Sequence, residues 1–189
     1  MYRKFWPADL HMVGKDILRF HAVYWPAFLM GAGLAPPKRV YAHGWWTNEG
    51  EKISKSVGNI IDPREIVETY GLDQIRYFLM REVPFGNDGD FSRKSVVSRI
   101  NSELANDLGN LAQRSLSMVG RYCDGVLPAP GDFSDADAAL LDQARAVLGA
   151  YREHIDNQAF HEALEAVWLV VRAANAYVDQ QAPWKLHKE

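Results

Sequence analysis

The feature that most constrains the fold is a strand–helix–strand pattern at the start of the chain. Leu10-His-Met-Val13 is a short apolar run that ends at a glycine, which is typical of a buried strand, and Arg39-Val-Tyr-Ala42 is a second such run. Two strands joined by a helix form a crossover between parallel neighbours, whose ligands bind at the carboxyl ends of the strands. We therefore expect one sheet edge to carry the residues that follow both strands: Gly14, Lys15, Asp16, His43, Gly44 and the loop after residue 49.

The segment between these strands has the spacing of a helix with one apolar face. Pro26 should kink this helix, and Gly31 and Gly33 should end it. On spacing alone, a core face with one hydrogen-bonded histidine is the better interpretation. The side chains predicted to point inward are Ile17, Phe20, His21, Tyr24, Trp25, Phe28 and Leu29.

A loop with two lysines follows, in Glu49-Gly-Glu-Lys-Ile-Ser-Lys-Ser-Val-Gly-Asn59. Gly50 and Gly58 permit backbone conformations that a Cβ would forbid. Lysines and hydroxyls suit an anionic ligand such as a phosphate chain, although two lysines alone favour a solvated charged turn. The polar residues concerned are Lys52, Ser54, Lys55 and Ser56, with Ile53 as an apolar anchor.

The next segment predicts two short helices and a turn. Asp62-Pro-Arg-Glu65 is a helix start with the aspartate as N-cap, and Gly71 ends that helix. A second helix should run from Asp73 to Arg81. Proline, glycine and asparagine between residues 84 and 90 are typical of a turn-rich boundary.

From Ser92 onward the apolar spacing predicts a helix bundle, so the chain is expected to be α/β first and all-α afterwards. One long helix should end near Gly125. A second should run from its cap Ser134 to about Glu153. A third should cover about 158–181, and Pro183 should stop it. The inward positions are Val97, Ile100, Leu104, Leu108, Leu111 and Met118 in the first helix, and Phe160, Leu164, Val167, Trp168, Val171, Ala174 and Val178 in the third.

Composition excludes several classes of protein. One cysteine, Cys123, excludes an internal disulfide and a cysteine-built zinc site. No apolar run approaches the ~18 residues of a membrane span, and the N-terminus has no signal-peptide pattern. Residues 1–100 carry 14 Lys/Arg against 11 Asp/Glu, whereas 101–189 carry 7 against 13, so any RNA contact should be local. No metal-ligand spacing links the histidines that we interpret as structural or surface residues: His11, His154, His161 and His187.

The lysine loop resembles a known signature. KISKS followed by Val-Gly-Asn is similar to the KMSKS motif of class I aminoacyl-tRNA synthetases, with Ile53 in place of the usual methionine. HMVGKDILRFHAVYWPAFLMG and HGWWTNEGEKISKSVGNIIDP resemble the methionyl-tRNA synthetase family, and the resemblance covers about Phe5 to Trp184. It implies the second part of a Rossmann-type catalytic domain followed by an anticodon-binding helix bundle.

The resemblance also implies an activity and its residues. The parent enzyme would activate methionine with ATP and Mg²⁺ and transfer it to tRNA(Met) in the cytoplasm. Catalysis would use Lys52, Ser54, Lys55 and Ser56. ATP would bind at Gly14, Asp16, His43, Gly44, Trp46 and Lys55. Methionine would bind at Phe20, His21 and Tyr24, and the anticodon at Asn110, Arg114 and Trp184. No residue is assigned to a protein-bound metal.

Each assignment has a plainer alternative. Asp16 is suited to N-cap its helix as well as to bind ribose hydroxyls. We interpret Trp45 as a packing residue and expect Trp46 to offer its backbone to adenine. A polar patch in the bundle explains Asn110 and Arg114 about as well as RNA binding does, and Trp184 is either an exposed stacking ring or a core residue.

One departure from the family bears on activity. No HIGH-type motif occurs in the 189 residues, so we expect a C-terminal part that is inactive alone and needs an N-terminal catalytic half as partner. The expected units are residues 1–60 for the end of the catalytic domain, 61–91 for a stem-contact connector, and 92–189 for a bundle that is itself truncated. The alternative is a non-catalytic module that binds tRNA or a partner protein. No membrane partner is expected.

Overall fold

The computed structural model describes residues 2–186, and His187 lies outside them. Strands β1 (His11–Gly14) and β2 (Val40–His43) pair in parallel, and Gly14 stands opposite His43. The predicted crossover between parallel neighbours is therefore confirmed. The first described residues, Tyr2–Lys4, form a single 3₁₀ turn.

The crossover helix is less regular than its spacing predicts. It begins as a 3₁₀ turn (Lys15–Ile17), widens to a π-helix (Phe20–Tyr24) and continues as α1 (Trp25–Gly31). Pro26 lies in the first turn of α1, not in a regular helix interior. A proline ring clashes with the carbonyl four residues earlier, and a wider turn just before it accommodates that clash.

The sequence predicts that this helix buries its aromatic face, and that prediction is wrong: in residues 2–186, which the structure describes, most of these side chains are exposed. Phe20 is 57% exposed and Phe28 is 71% exposed, and only Leu29 of the predicted set is buried. The other exposed members are Ile17, Tyr24 and Trp25. Periodicity identifies an apolar face but does not identify what covers it, and here the face lines an open cleft.

A second sheet, which the sequence did not predict, carries the lysine loop. Its order is β4 (Glu51–Lys52), β3 (Trp46–Asn48), β5 (Gly89–Phe91), with β3 antiparallel to β4 and parallel to β5. Glu49 and Gly50 form the β3–β4 turn with φ of 51° and 81°. Two positive φ angles are the mark of a type I′ turn, whose twist matches that of a hairpin.

The connector forms the main core. Helix α2 (Pro63–Tyr70) has the predicted bounds, and α3 (Leu72–Arg81) begins one residue before the predicted Asp73. The Asp62 carboxylate caps α2 by accepting from the Arg64 N–H at 2.8 Å. Gly71 joins the two helices with a φ of 93°. The buried cluster brings together both helices, the β-sheet and the first helix of the bundle: Ile66, Ile75, Phe78, Phe91 and Val96.

The long helix of the bundle contains a ten-residue π segment. It comprises α4 (Arg93–Arg99), the π-helix Ile100–Gly109 and α5 (Asn110–Tyr122). Val97 and Leu108, predicted to point inward, are 44% and 41% exposed, whereas Val96 is fully buried. Wider turns shift the helical phase, so a uniform period of 3.6 cannot place both ends of this helix.

The remaining helices are α6 (Asp135–Asp156), α7 (Phe160–Gln181) and α8 (Pro183–Leu186). Ser134 caps α6 as predicted, in a reciprocal capping box with Asp137. On α7, Trp168 and Val171 are buried, as the spacing indicates. Over residues 2–186, no helix combines the length and the apolar character needed to cross a membrane.

A buried ionic cluster joins the connector to the bundle. The Glu103 carboxylate, on the π segment, accepts from Arg99 Nη1 at 2.9 Å, from Arg81 Nη2 at 3.2 Å and from the Tyr77 hydroxyl. Arg81 also pairs with Glu165 of α7. Burial alone would raise the pKa of Glu103, but the Tyr77 hydrogen bond and the two guanidinium groups outweigh burial, and the pKa falls below its usual range.

Candidate functional site

The two strand ends place three predicted nucleotide-binding residues together. A Cβ at Gly14 would collide with the Asp16 carboxylate and would stand 3.9 Å from His43 Cε1. Asp16 lies inside the 3₁₀ turn and makes no capping hydrogen bond, so its interpretation as an N-cap is wrong. The exposed Asp16 carboxylate and the half-buried His43 imidazole thus flank a glycine at the sheet edge.

The segment after β2 is held by the connector. A Cβ at the buried Gly44 would collide with the Asn87 carbonyl, so the close backbone approach that Gly44 permits is to the chain itself. The Trp46 ring packs 6.1 Å from that of Phe78 in the core. The half-buried Trp46 side chain is thus part of the packing around the core.

The neighbouring tryptophan behaves differently, and its interpretation as a packing residue is wrong. Trp45 is 53% exposed, and Lys15 Nζ lies 4.3 Å from its ring centroid. Asp88 holds both, by an ion pair with Lys15 at 2.6 Å and by accepting from the Trp45 N–H at 2.9 Å. These two donors lower the pKa of the Asp88 carboxyl. Lys15 and Asp88 are 73 residues apart, so no spacing pattern links them.

The backbone of the KISKS loop is held by two asparagines, Asn59 and Asn48. The loop follows β4 of the second sheet, and not a strand of the β1–β2 pair. Asn59 spans the loop, because its Nδ2 donates to the Lys52 carbonyl at 3.0 Å and its Oδ1 accepts from the Ser54 N–H at 2.8 Å. Asn48 Nδ2 donates in turn to the Asn59 carbonyl at 2.9 Å.

The lysines of this loop are exposed, and two of its serines lie close together. The hydroxyls of Ser54 and Ser56 lie 2.7 Å apart, and Lys52 and Lys55 are exposed. Neither lysine forms an ion pair with any residue between 2 and 186. Asn59 was not predicted as a functional residue, although an amide directly after the second glycine of the loop was a usable signal.

The predicted methionine pocket is an open cleft of about 800 Å³. Phe20 and Tyr24 pack edge to face with centroids 5.7 Å apart, and His21 Nδ1 lies 3.0 Å from the Ile17 carbonyl. His11 also lines the cleft, where its Nε2 accepts from Trp25 Nε1 at 3.1 Å. The three predicted residues therefore share one wall, and His11 joins them.

The far end of the bundle brings two of the three predicted anticodon residues together. The Arg114 guanidinium lies 5.5 Å from the ring centroid of the half-buried Trp184, and it pairs with Asp179. Arg114 and Trp184 line a cavity of about 230 Å³. Asn110 is exposed one turn earlier on α5. Trp184 is not among the buried core residues, and Asp179 was not identified from the sequence.

Known proteins match both parts of the chain. The family described as tRNA synthetases class I (M) matches residues 1–116, and the anticodon binding domain of methionyl tRNA ligase matches residues 127–189. The methionine–tRNA ligases of Mycobacterium tuberculosis and Brucella suis are 61% and 63% identical over 188 and 184 residues. These alignments cover 100% and 97% of this chain.

Solved structures agree with these matches. M. tuberculosis methionyl-tRNA synthetase bound by methionyl-adenylate is 60% identical with a TM-score of 0.95, and the match covers 100% of this chain and 37% of that one. The apo form of the M. tuberculosis enzyme gives a TM-score of 0.90 at 57% identity, over 100% of this chain and 36% of that one.

The extent of the match limits what it establishes. The chain spans 36% of the length of each of these two relatives. Within that length it holds a Rossmann-like catalytic part followed by an anticodon-binding domain, as the sequence predicts. The chain belongs to the methionyl branch of the class I tRNA synthetases.

Proposed function

We propose that the chain acts as part of a cytoplasmic methionine–tRNA ligase, which activates methionine with ATP and transfers it to tRNA(Met). The observation that carries this proposal is the KISKS loop, whose backbone is braced by Asn59 while Lys52 and Lys55 remain exposed. A fixed backbone with unpaired cations suits charge that develops during a reaction. The remaining catalytic groups would come from a segment that carries the HIGH-type motif.

In the first step, a methionine carboxylate oxygen attacks the α-phosphorus of ATP, and the bond to pyrophosphate breaks. Lys55 stabilises the negative charge that grows on the departing pyrophosphate, with help from Lys52 and from hydrogen bonds of Ser54 and Ser56. Mg²⁺ enters as part of the substrate, coordinated by the ATP phosphates. Positioning and electrostatics provide the rate enhancement, and no covalent enzyme intermediate is needed.

The nucleotide is proposed to lie across the ends of β1 and β2. Gly14 lets the ligand approach the backbone, and the Asp16 carboxylate accepts hydrogen bonds from the ribose hydroxyls. His43 flanks the phosphates, Gly44 lets the chain behind it pack closely against Asn87, and the Trp46 backbone pairs with the adenine edge. The exposed Asp16 carboxylate, free of any capping role, supports its part in this arrangement.

The aromatic cleft is proposed to hold the methionine side chain. A thioether is polarizable and packs well against ring edges, and the edge-to-face pair of Phe20 and Tyr24 offers such edges. His21 lies on the same wall and donates weakly to the sulfur. Charged side chains are disfavoured because they would lose hydration in the cleft without gaining a partner.

The bundle is proposed to recognise the anticodon. An arginine held over an indole presents a stacking plane and hydrogen-bond donors together, which suits unpaired bases. Asn110 adds a base-edge contact to those of Arg114 and Trp184. This proposal divides the chain into residues 1–60, 61–91 and 92–189 as catalytic, connecting and anticodon-binding units.

The test is methionine-dependent exchange between ATP and labelled pyrophosphate. The full-length protein that carries this chain should catalyse it, and Lys55→Ala should lower its kcat roughly 10²-fold with little change in the KM for methionine. Lys94→Ala, which removes an exposed lysine of α4, is the matched control and should leave exchange unchanged. Equal exchange by the Lys55 and Lys94 variants would reject the proposed role of the loop.

A further inference from the structure

Phe85, in the turn after α3, contacts both the carboxyl end of β2 and the bundle. Its ring stacks on that of Tyr41 at 5.4 Å and lies 6.2 Å from the His43 imidazole. On its other side it meets the ring of Phe160, the first residue of α7, edge to face at 4.8 Å. A half-buried ring thus separates the end of β2 from the α6–α7 turn.

The turn that carries Phe85 has little freedom. The Tyr41 hydroxyl donates to the Phe85 carbonyl at 2.6 Å, and the Asn87 N–H donates to the Pro84 carbonyl at 3.0 Å. Gly86 has a φ of 108°, and a Cβ there would stand 2.9 Å from the Tyr41 oxygen. The Phe85 ring is therefore fixed relative to β2.

A second contact ties β2 to the same turn of the bundle. Arg39 Nη1 donates at 2.8 Å both to the Asp156 carbonyl and to Gln158 Oε1. Gln158 is buried and holds a φ of 58° between α6 and α7. Arg39, the residue before β2, meets this turn of the bundle directly. Tyr41 and His43, alternate residues of β2, reach it through Phe85.

We propose that Phe85 is a positioning residue for the nucleotide. The Phe85 ring is supported by Phe160 at the α6–α7 turn and in turn holds the His43 imidazole in place. Displacement of that turn would then change ATP binding although the bundle contributes no group to the ATP site. The inference rests on the proposed nucleotide-binding role of His43. Phe85 lies outside both the KISKS loop and the ends of β1 and β2.

Leucine substitutions test this contact with little loss of apolar volume. Aromatic pairs depend on ring geometry, which Phe85→Leu and Phe160→Leu remove. We expect Phe85→Leu in the full-length protein to raise the KM for ATP in exchange about three- to tenfold, with the KM for methionine changed less than twofold. Phe160→Leu should raise the KM for ATP in the same direction, and the double variant should be no worse than Phe85→Leu.

The control and a binding measurement separate this role from a general loss of stability. Phe133→Leu alters a phenylalanine that is 62% exposed and should change neither KM. The Kd of a non-hydrolysable ATP analogue, measured by calorimetry, should weaken in parallel with the KM. Binding of the analogue does not require methionine activation. If the wild-type protein binds the analogue but catalyses no exchange, the proposed function is rejected and the role of Phe85 in nucleotide binding can still be tested.

The inference is overturned if Phe160→Leu leaves both the KM for ATP and the analogue Kd unchanged. It is also overturned if Phe85→Leu lowers only kcat and the unfolding temperature, since a purely structural residue gives that pattern. Should Phe85→Leu fail to fold, Phe160→Leu decides the question by itself.

Discussion

Replacing Glu103 by glutamine should destabilise the chain, because this carboxylate holds the buried ionic cluster together. The variant keeps the shape of the side chain but removes a charge whose side chain is only 11% exposed. Three donors then lose a charged acceptor: Tyr77, Arg81 and Arg99. Breaking a buried ion pair by removing one partner costs about 3–5 kcal/mol.

The surrounding carboxylates place the expected cost at the lower end of that range. Arg81 keeps Glu165 and Arg99 keeps Glu82, so neither guanidinium is left without a counter-charge. We therefore expect a loss of about 3 kcal/mol. For a chain of this size, 1 kcal/mol lowers the Tm by about 2–4 °C, which gives a drop of roughly 6–12 °C.

The assay is thermal and urea unfolding of the two proteins from pH 8 down to about pH 3, which extends well below the ordinary pKa of 4.5 for a glutamate. The folded-state pKa of Glu103 is lowered, so its stabilising effect is complete above its ordinary pKa and is lost as the pH falls through the folded value. The gap in unfolding free energy between wild type and Glu103→Gln should therefore narrow in acid.

The matched control for this prediction is Glu68→Gln. It alters an exposed glutamate of α2 and should stay within about 0.5 kcal/mol of wild type. A Tm drop for Glu103→Gln below 2 °C, or a gap that widens on acidification, would refute the reasoning.

Three further predictions concern the loop, the turn and the bundle. Asn59→Ala should lower the kcat of exchange at least tenfold with a small change in Tm, because the loop loses its brace but the core is untouched; an unchanged kcat would contradict this. Gly44→Ala should lower the Tm by several degrees, since the new Cβ collides with the Asn87 carbonyl, and circular dichroism melting measures it. Trp184→Ala should weaken tRNA use by ~1–3 kcal/mol in aminoacylation assays while exchange without tRNA is preserved; a large loss of Tm with normal tRNA affinity would instead make it a core residue.

Local signals in the sequence were sufficient for several elements. The capping residues Asp62 and Ser134 and the closing Gly71 act within one turn, so their helices begin and end close to the predicted positions. The parallel pairing of β1 and β2 follows from a general rule for strand–helix–strand units.

Features that depend on distant partners could not be predicted. Asp88 meets Lys15 across 73 residues, and Glu165 meets Arg81 across 84, with no spacing to connect them. The π segment changes which side chains of the long helix point inward, and a prediction that assumes a regular α-helix therefore misses the burial of Glu103. The short strands β3 and β5 have too few residues for alternation to register, so the second sheet was missed.

The long helix starts directly after β5, which pairs in parallel with β3, so a change in the angle of this strand pair moves the far end of the helix. Phe91 ends β5 and Arg93 begins α4, with only the cap Ser92 between them. At roughly 1.5 Å per α-helical residue, and less through the π segment Ile100–Gly109, Arg114 lies about 30 Å along the helix from that point. A tilt of about 5° at the strand would move Arg114 by about 3 Å, as much as the length of a hydrogen bond. Asn48, at the end of the strand that leads into the KISKS hairpin, pairs with Phe91. A small change of angle at this pair therefore becomes a displacement of several ångströms at the distant end of the bundle.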